Sequence, residues 1–221
     1  MEINEVIIKH YLKNVMFING TAYAGKSTMA AMLAERYGLI LCGENYHAKV
    51  AEKLATPDKY PNTSYFKTMK SWQEFLNRTP EEYANWIDGV AAEVAEFEIA
   101  ELLHISQNKK VVVDTNLSID ILKKIAGYNQ VAIMLSPQEM SANEFFNRDD
   151  EDKKFLLSKI NEAENPEKTM QNFRKCLEKI HSEENYNKMA NSGFFTLVRE
   201  NADIDTKEET LNTLARHFGL Q

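Results

Sequence analysis

One segment of eight residues constrains the fold of this chain more than any other feature. Residues 20 to 27 read GTAYAGKS, which matches the phosphate-binding pattern G-x-x-x-x-G-K-S/T in full. The pattern needs a strand before it and a helix after it. The apolar run VMFIN (15–19) precedes Gly20, and a helical pattern follows over Met29–Tyr37 and ends at Gly38. The segment therefore predicts a strand, a phosphate-binding loop and a helix in succession.

Each residue type in this loop has a physical reason. Gly20 and Gly25 permit backbone torsions that a Cβ forbids, so consecutive amides can turn toward a phosphate at the start of a helix. Lys26 supplies a mobile positive charge for the β- and γ-phosphates, and the Ser27 hydroxyl is a hard oxygen ligand for Mg²⁺. We expect Lys26 to be exposed in the cleft. Thr28 is an ordinary first-turn residue.

Further short apolar runs alternate with helical patterns, which is typical of β-α-β units and a parallel sheet. The predicted strands are VMFIN (15–19), LILC (39–42), VVVD (111–114), VAIML (131–135) and FFTLV (194–198). The longest predicted helix runs from Thr79 to Ser106, with Thr79 as its cap and Pro80 in its first turn. The last runs from about Thr206 to Phe218.

Two polar stretches interrupt this alternation. Residues 58–78 are rich in aromatic side chains and lie between the second and third strands, and residues 147–154 follow the fourth strand. Both are predicted to be insertions over one edge of the sheet. The aromatic residues of the first could line an acceptor pocket or simply pack together. A length of 221 residues fits one α/β domain better than two.

Two carboxylates are predicted to lie near the phosphates. Asp114 ends a predicted strand, where it could hold a Mg²⁺-bound water; alternatively, it caps a helix that begins near Ser118. Glu44 follows LILC on the same side of the sheet and could orient or deprotonate an acceptor hydroxyl, or it could be a solvated turn residue. The sequence leaves open which of the two is the base.

Several cations could act in phosphoryl transfer. Arg148, Lys153 and Lys154 lie in the second polar stretch, where a closing lid would bring Arg148 to the transferred group. The acids between them also fit a solvated loop with surface ion pairs. No role is assigned to Arg78, Arg174 and Arg199.

Composition excludes some classes of protein. The net charge of −7 argues against binding to a nucleic-acid polymer, which requires clustered Lys and Arg. Cys42 and Cys176 have no metal-ligand spacing. No signal-like start and no apolar run of about 18 to 20 residues is present, so we expect a reduced, cytoplasmic protein with no membrane contact.

The chain resembles the P-loop small-molecule kinases, the group of nucleoside and nucleotide kinases, shikimate kinase and gluconate kinase. The resemblance depends on FINGTAYAGKST, the carboxylate after LILC, the strand VVVD and the final strand, loop and helix. It implies a three-layer α/β/α fold with a five-stranded parallel sheet in the order 2-3-1-4-5. It also implies one domain over residues 1–221, with a helical acceptor insert near 47–105 and a lid near 145–155, and adenine held near 201–203.

The resemblance also implies the nucleotide-binding residues and the ligands. ATP is expected to be cradled by Gly20, Thr21, Ala22, Tyr23, Ala24, Gly25, Lys26, Ser27 and Thr28. Mg²⁺ is expected at Ser27 and Asp114, and Lys26, Glu44, Asp114 and Arg148 are the expected catalytic residues. The sequence departs from the deoxynucleoside kinases after the third strand, where it reads Asp114-Thr-Asn in place of Glu-Arg-Ser.

These observations predict an ATP-dependent kinase for a small metabolite, with a nucleoside or nucleotide first among the acceptors. One alternative is a nucleotide-binding switch or resistance-type protein without efficient kinase activity, and another is a hydrolase. A regulatory GTPase would need an N/T-K-x-D motif, which the sequence lacks. The acceptor, the choice of ATP or GTP, closure of the lid and a homodimer are left open.

Overall fold

The computed structural model describes residues 4–137, 151–200 and 204–221. Its central feature is a sheet of five parallel strands in the order β2-β3-β1-β4-β5. The strands are β1 (Val15–Gly20), β2 (Ile40–Cys42), β3 (Val111–Asp114), β4 (Val131–Leu135) and β5 (Phe195–Val198). The predicted fold class and strand order are therefore confirmed, and the strand boundaries differ by one residue at most.

Helices connect the strands and cover both faces of the sheet. In the described residues they are α1 (Glu5–Tyr11), α2 (Lys26–Tyr37), α3 (Ala48–Leu54), α4 (Tyr65–Thr68), α5 (Trp72–Leu76), α6 (Pro80–Ile105), α7 (Ile119–Ile125), α8 (Glu151–Asn161), α9 (Pro166–Ile180), α10 (Glu183–Ala190) and α11 (Lys207–His217). A short 3₁₀ turn, Tyr128–Gln130, leads into β4. None of the described helices is long and apolar enough to cross a membrane.

Alternation along the strands divides the core into two clusters. Val15 and Phe17 of β1 belong to a cluster that includes side chains of α6 and α7, whereas Met16 and Ile18 face a cluster that includes α2 and α11. All six residues of β1 are buried, as expected for the central strand of a parallel sheet with helices on both faces. The result is a three-layer α/β/α arrangement.

The longest helix begins as the sequence predicts. The Thr79 side chain accepts from the Glu82 amide and the Glu82 carboxylate accepts from the Thr79 amide, which forms a complete capping box with Pro80 in the first turn. By contrast, the helix after the phosphate-binding loop begins at Lys26 and not at Met29. Its first three residues, Lys26, Ser27 and Thr28, are charged or polar, so the helical spacing of apolar residues becomes recognisable only from Met29.

A further apolar cluster lies among the helices that connect β2 to β3 and β4 to β5. It joins α5, α6, α8 and α9, and its buried members are Phe75, Leu76, Tyr83, Ile160, Phe173, Cys176 and Leu177. Cys176 and Cys42 are both free and buried. The aromatic residues of the predicted 58–78 insertion thus pack against helices distant in sequence. The assignment of an insert near 47–105 and a lid near 145–155 within one domain stays a prediction.

Candidate functional site

The loop after β1 passes unusually close to strand β4. Gly20 has φ +140°, and a Cβ at this position would lie 1.7 Å from the carbonyl oxygen of Met134. Gly25, at φ +89°, is the residue that turns the chain into α2, and Tyr23 between them also has a positive φ, +65°. The two glycines of the motif are therefore required by close approach and by backbone conformation.

Hydrogen bonds hold this loop against the end of β4. The Thr21 amide donates to Met134 O at 3.0 Å, and the Ser136 amide donates to Thr21 Oγ1 at 2.8 Å. The Ser136 hydroxyl donates to the carbonyl of Ala22 at 2.6 Å. Ser136 was not identified from the sequence, although it directly follows VAIML. These three bonds therefore join the loop to the end of β4.

Lys26 lies across the loop, and the prediction that it is exposed is wrong. The residue is half-buried, and its Nζ donates to the carbonyl of Thr21 at 3.1 Å. Its positive charge reaches His181, which follows α9. Burial first, and the charge of Lys26 second, lower the pKa of His181 below its ordinary value. No sequence pattern indicates that His181 lies near the loop.

Ser27 and Asp114 are in direct contact. The Ser27 hydroxyl donates to Asp114 Oδ2 at 2.5 Å, and Asp114 is only 2% exposed. The alternative role for Asp114, capping α7, is excluded because Ser118 is the N-cap and accepts from the Ile121 amide. A hydroxyl and a carboxylate oxygen at the P-loop are suitable ligands for Mg²⁺, which usually takes one or two carboxylates together with phosphate oxygens and waters.

Glu44 lies at the carboxyl end of β2, beside the end of β3. It is exposed, and its Oε1 accepts from the Asn116 side-chain amide at 3.1 Å. Asn45 has a positive φ of +64°, which redirects the chain immediately after Glu44. Because β2 and β3 are neighbours, Glu44 and Asp114 lie on the same edge of the sheet. Whether either is catalytic stays a prediction.

A third carboxylate, which sequence reasoning missed, lies at the same edge. Glu98 of α6 is 3% exposed, and its Oε1 accepts from the hydroxyl of Thr115 at 2.5 Å. Burial first, and the nearby charge of Asp114, raise the pKa of Glu98 to about 7, although the Thr115 hydrogen bond opposes the shift. The available signal was spacing: Val94, Glu98 and Leu102 follow each other at four-residue intervals, which places an acid on an apolar stripe.

A cavity of about 200 Å³ adjoins the loop on the side where β4 and β5 end. Its lining comes from the P-loop, α2, the ends of β4 and β5 and the start of α11, and includes Ala24, Thr28, Met29, Met134, Leu197 and Thr210. Arg199, which follows β5, also lines it and donates from Nη1 to the carbonyl of Tyr23 at 3.2 Å. The predicted adenine contact at 201–203 lies outside the described residues.

The predicted lid is described only in part. Arg148 and residues 145–150 lie outside the described residues, and α8 begins at Glu151. Lys153 of this helix reaches the loop, where its Nζ lies 6.0 Å from the centroid of the Tyr23 ring. Lys154 instead pairs with Glu151 at the surface, at 3.0 Å. The first of these lysines, not the second, is therefore a candidate for contact with a bound nucleotide.

The aromatic residues of the 58–78 region surround Arg78. Its guanidinium lies 3.9 Å from the centroid of the Tyr65 ring and 5.2 Å from that of Trp86. Both rings also line an open cavity of about 480 Å³ with Asn77 and Asn85. Trp86 lies 12 positions before Glu98 in α6, or about 18 Å along the helix axis. The cavity is therefore separate from the edge that carries Asp114.

The sequence matches no protein-family model and no curated protein. Among solved structures, the chain is similar to an uncharacterized protein from Eubacterium ventriosum, at 14% identity and a TM-score of 0.44, over 94% of this chain and 98% of that one. It is also similar to dephospho-CoA kinase from Campylobacter jejuni, at 13% identity and a TM-score of 0.44, over 92% and 97%. Shikimate kinase from Bacteroides thetaiotaomicron gives 10% identity and a TM-score of 0.42, over 91% and 96%.

TM-scores of 0.42 to 0.44 at 10% to 14% identity carry no assignment, which therefore depends on the chain's own features. The sheet order is β2-β3-β1-β4-β5, the phosphate-binding loop follows the central strand, and Ser27 of that loop contacts Asp114 at the end of the neighbouring strand. The chain is thus a three-layer α/β/α protein with a phosphate-binding loop of the P-loop type after its central strand.

Proposed function

We propose that the protein is an ATP-dependent phosphotransferase that passes a phosphoryl group to a small metabolite, with a nucleoside or nucleotide first among the acceptors. The observation that carries the proposal is the contact between Ser27 and Asp114, at 2.5 Å, beside a loop that also bears Lys26. A hydroxyl, a carboxylate and an ammonium at one loop are the groups that a Mg²⁺-bound triphosphate requires.

Residues in and beside the loop would bind different parts of the phosphate donor. Lys26 would exchange its bond to the Thr21 carbonyl for the β- and γ-phosphate oxygens, while Ser27 and Asp114 hold the magnesium ion. A bound Mg²⁺ ion would supply neutralising charge for the phosphates. The cavity of about 200 Å³, which includes Met29, Met134 and Leu197 in its lining, would receive the adenine.

The acceptor side is formed by the carboxyl ends of β2 and β3. Asp114 is buried and accepts a hydrogen bond from Ser27. Glu44 is exposed, and within the described residues its side chain accepts a hydrogen bond from the Asn116 side-chain amide. Glu44 is therefore the better placed of the two to orient an acceptor hydroxyl and take its proton. The proposal also includes an acceptor-binding insert near 47–105, a lid that carries Arg148, and a cytoplasmic location.

The proposal is tested by measuring ADP formation from Mg·ATP with a panel of nucleosides, nucleotides and hydroxy acids. A kinase shows turnover that at least one acceptor stimulates strongly, and Lys26→Ala removes that stimulation. Tight ATP binding with no stimulated turnover would support the alternative of a nucleotide-binding switch, and turnover that no acceptor changes would support a hydrolase.

A further inference from the structure

Glu98 is a carboxyl group in an unfavourable place. It is 3% exposed and lies on α6, between apolar neighbours, and no ion pair joins it to a cation in the described parts of the chain. Burial of an acid without a cationic partner costs free energy, and apolar residues of similar volume usually serve stability as well or better. Stability alone therefore does not account for a glutamate at this position.

Its hydrogen-bond partner is defined without ambiguity. The Thr115 hydroxyl accepts from the Leu117 amide at 3.0 Å, so its single proton is available for Glu98 Oε1. The Thr115 amide in turn donates to the carbonyl of Ile18 in β1, at 3.0 Å. Thr115 is 1% exposed, and these three bonds fix both its backbone and its side chain. Glu98 thus holds the residue that directly follows Asp114.

The same turn of α6 contacts the segment after β2. The Tyr46 hydroxyl donates to the backbone carbonyl of Glu98 at 2.8 Å, and Tyr46 follows Glu44 by two residues. One turn of α6 is therefore bonded both to the segment bearing Glu44 and to the segment bearing Asp114. Because α6 is a single helix of 26 residues within the predicted insert near 47–105, this turn joins the insert to both segments.

We propose that Glu98 is a positioning residue that, through the hydroxyl of Thr115, couples the insert helix α6 to the magnesium-binding carboxylate of Asp114. The inference depends on the proposed function, since it assumes that Asp114 serves a bound metal ion. Its consequence is that loss of the Glu98–Thr115 bond weakens the use of Mg²⁺ while the loop that binds phosphate stays intact.

The test compares two variants that lose the bond with two that keep it. Thr115→Val removes the hydroxyl at nearly constant shape, and Glu98→Leu removes the acceptor; Thr115→Ser and Glu98→Gln keep a donor and an acceptor. ATP affinity is measured by calorimetry with and without Mg²⁺, and kcat and KM are measured as a function of Mg²⁺ concentration. Thr169→Val, another buried threonine, controls for the loss of a hydroxyl elsewhere.

Thr115→Val and Glu98→Leu should each reduce the Mg²⁺-dependent gain in ATP affinity by about fivefold or more, within the usual range for site coupling. ATP binding without Mg²⁺ should not change, and the conservative pair should match the wild type. The double variant Glu98→Leu/Thr115→Val should be no worse than the worse single variant, because both act through one bond.

A folded Thr115→Val protein with the wild-type response to Mg²⁺ would overturn the proposal. So would equal losses in Thr115→Ser and Thr115→Val, since the hydroxyl would then be irrelevant. Failure of the proposed function is a different result: wild-type protein would show no acceptor-stimulated turnover, while the calorimetric comparison would still report on the coupling.

Discussion

The hydroxyl of Ser27 donates a 2.5 Å hydrogen bond to Oδ2 of Asp114, across 87 positions of sequence. The parallel pairing of β1 with β3 favours this contact, because Ile18 and Asp114 are aligned in the ladder and β1 continues only to Gly20, where the phosphate-binding loop begins. Two oxygens that suit a magnesium ion therefore meet at the start of α2, where a phosphate would bind.

Ser27→Ala should impair the response to Mg²⁺ more than the binding of free ATP. The variant loses one of the two proposed oxygen ligands, so we expect acceptor-stimulated kcat/KM to fall by about a hundredfold at low Mg²⁺ concentration, as for loss of one electrostatic contact in a transition state. Ser27→Thr keeps the hydroxyl and is the matched control. Equal Mg²⁺ dependence in the alanine variant and the wild type would remove Ser27 from the metal site.

Gly20→Ala should destabilise the protein far more than the same change at Gly38. A Cβ at Gly20 would lie 1.7 Å from the carbonyl oxygen of Met134, so β1, β4 or the loop must move, at a cost of about 3 kcal/mol or more. Gly38 also has a positive φ, +64°, but no heavy atom beyond its two chain neighbours lies within 4 Å of the position that its Cβ would take, so about 1 kcal/mol is expected there. Urea unfolding measures both, and similar losses would contradict the close approach.

Glu98 should make the stability of the protein depend on pH. Its pKa is raised from 4.5 to about 7 in the folded state, so the folded protein holds this proton more tightly than the unfolded chain does. The free energy of unfolding therefore falls as pH rises from about 4.5 to about 7, and the total loss is about 3 kcal/mol. Below that range both states are protonated and nothing is lost.

Glu98→Gln isolates this contribution because the amide does not ionise. The free energy of unfolding of the variant minus that of the wild type should rise by about 3 kcal/mol between about pH 4.5 and about pH 8. Urea unfolding at each pH measures this difference. Parallel stability profiles for the two proteins would show that Glu98 does not titrate in this range.

A bulky side chain in the cavity beside the P-loop should separate binding of the base from binding of the phosphates. Thr210 lines the 200 Å³ cavity from α11, and Thr210→Trp should fill it and weaken ATP binding by about tenfold or more. Inorganic triphosphate should bind as in the wild type. Asn212→Trp, exposed on the same helix, is the control. Equal loss of ATP and triphosphate affinity would show that the base does not enter this cavity.

Local signals made the loop and the sheet predictable from sequence. The motif from Gly20 to Ser27 requires a strand before it and a helix after it, and buried strands such as Val111–Asp114 are recognisable as short apolar runs. Thr79 and Pro80 indicated the start of the long helix because capping depends on residues three positions apart. The nature of these elements was therefore available from short windows of sequence.

Side-chain contacts between distant segments were not predictable in this way. Glu98 and Thr115 are 17 positions apart and lie on different elements, so their hydrogen bond depends on how α6 packs on β3. Arg199 reaches the carbonyl of Tyr23 across 176 positions, and Lys26 is drawn back onto Thr21 by a bond within its own loop. Such contacts depend on packing that a single sequence does not encode in any short pattern.

Nucleotide binding at the P-loop is tested most directly by a calorimetric titration of the wild-type protein and Lys26→Ala with Mg·ATP and with Mg·GTP. We predict saturable binding of at least one of the two nucleotides with a Kd below the millimolar range, weakened by about tenfold or more in Lys26→Ala, with circular dichroism unchanged. Heats equal to those of dilution for both nucleotides at millimolar concentration, with folded wild-type protein, would contradict a triphosphate site in this loop.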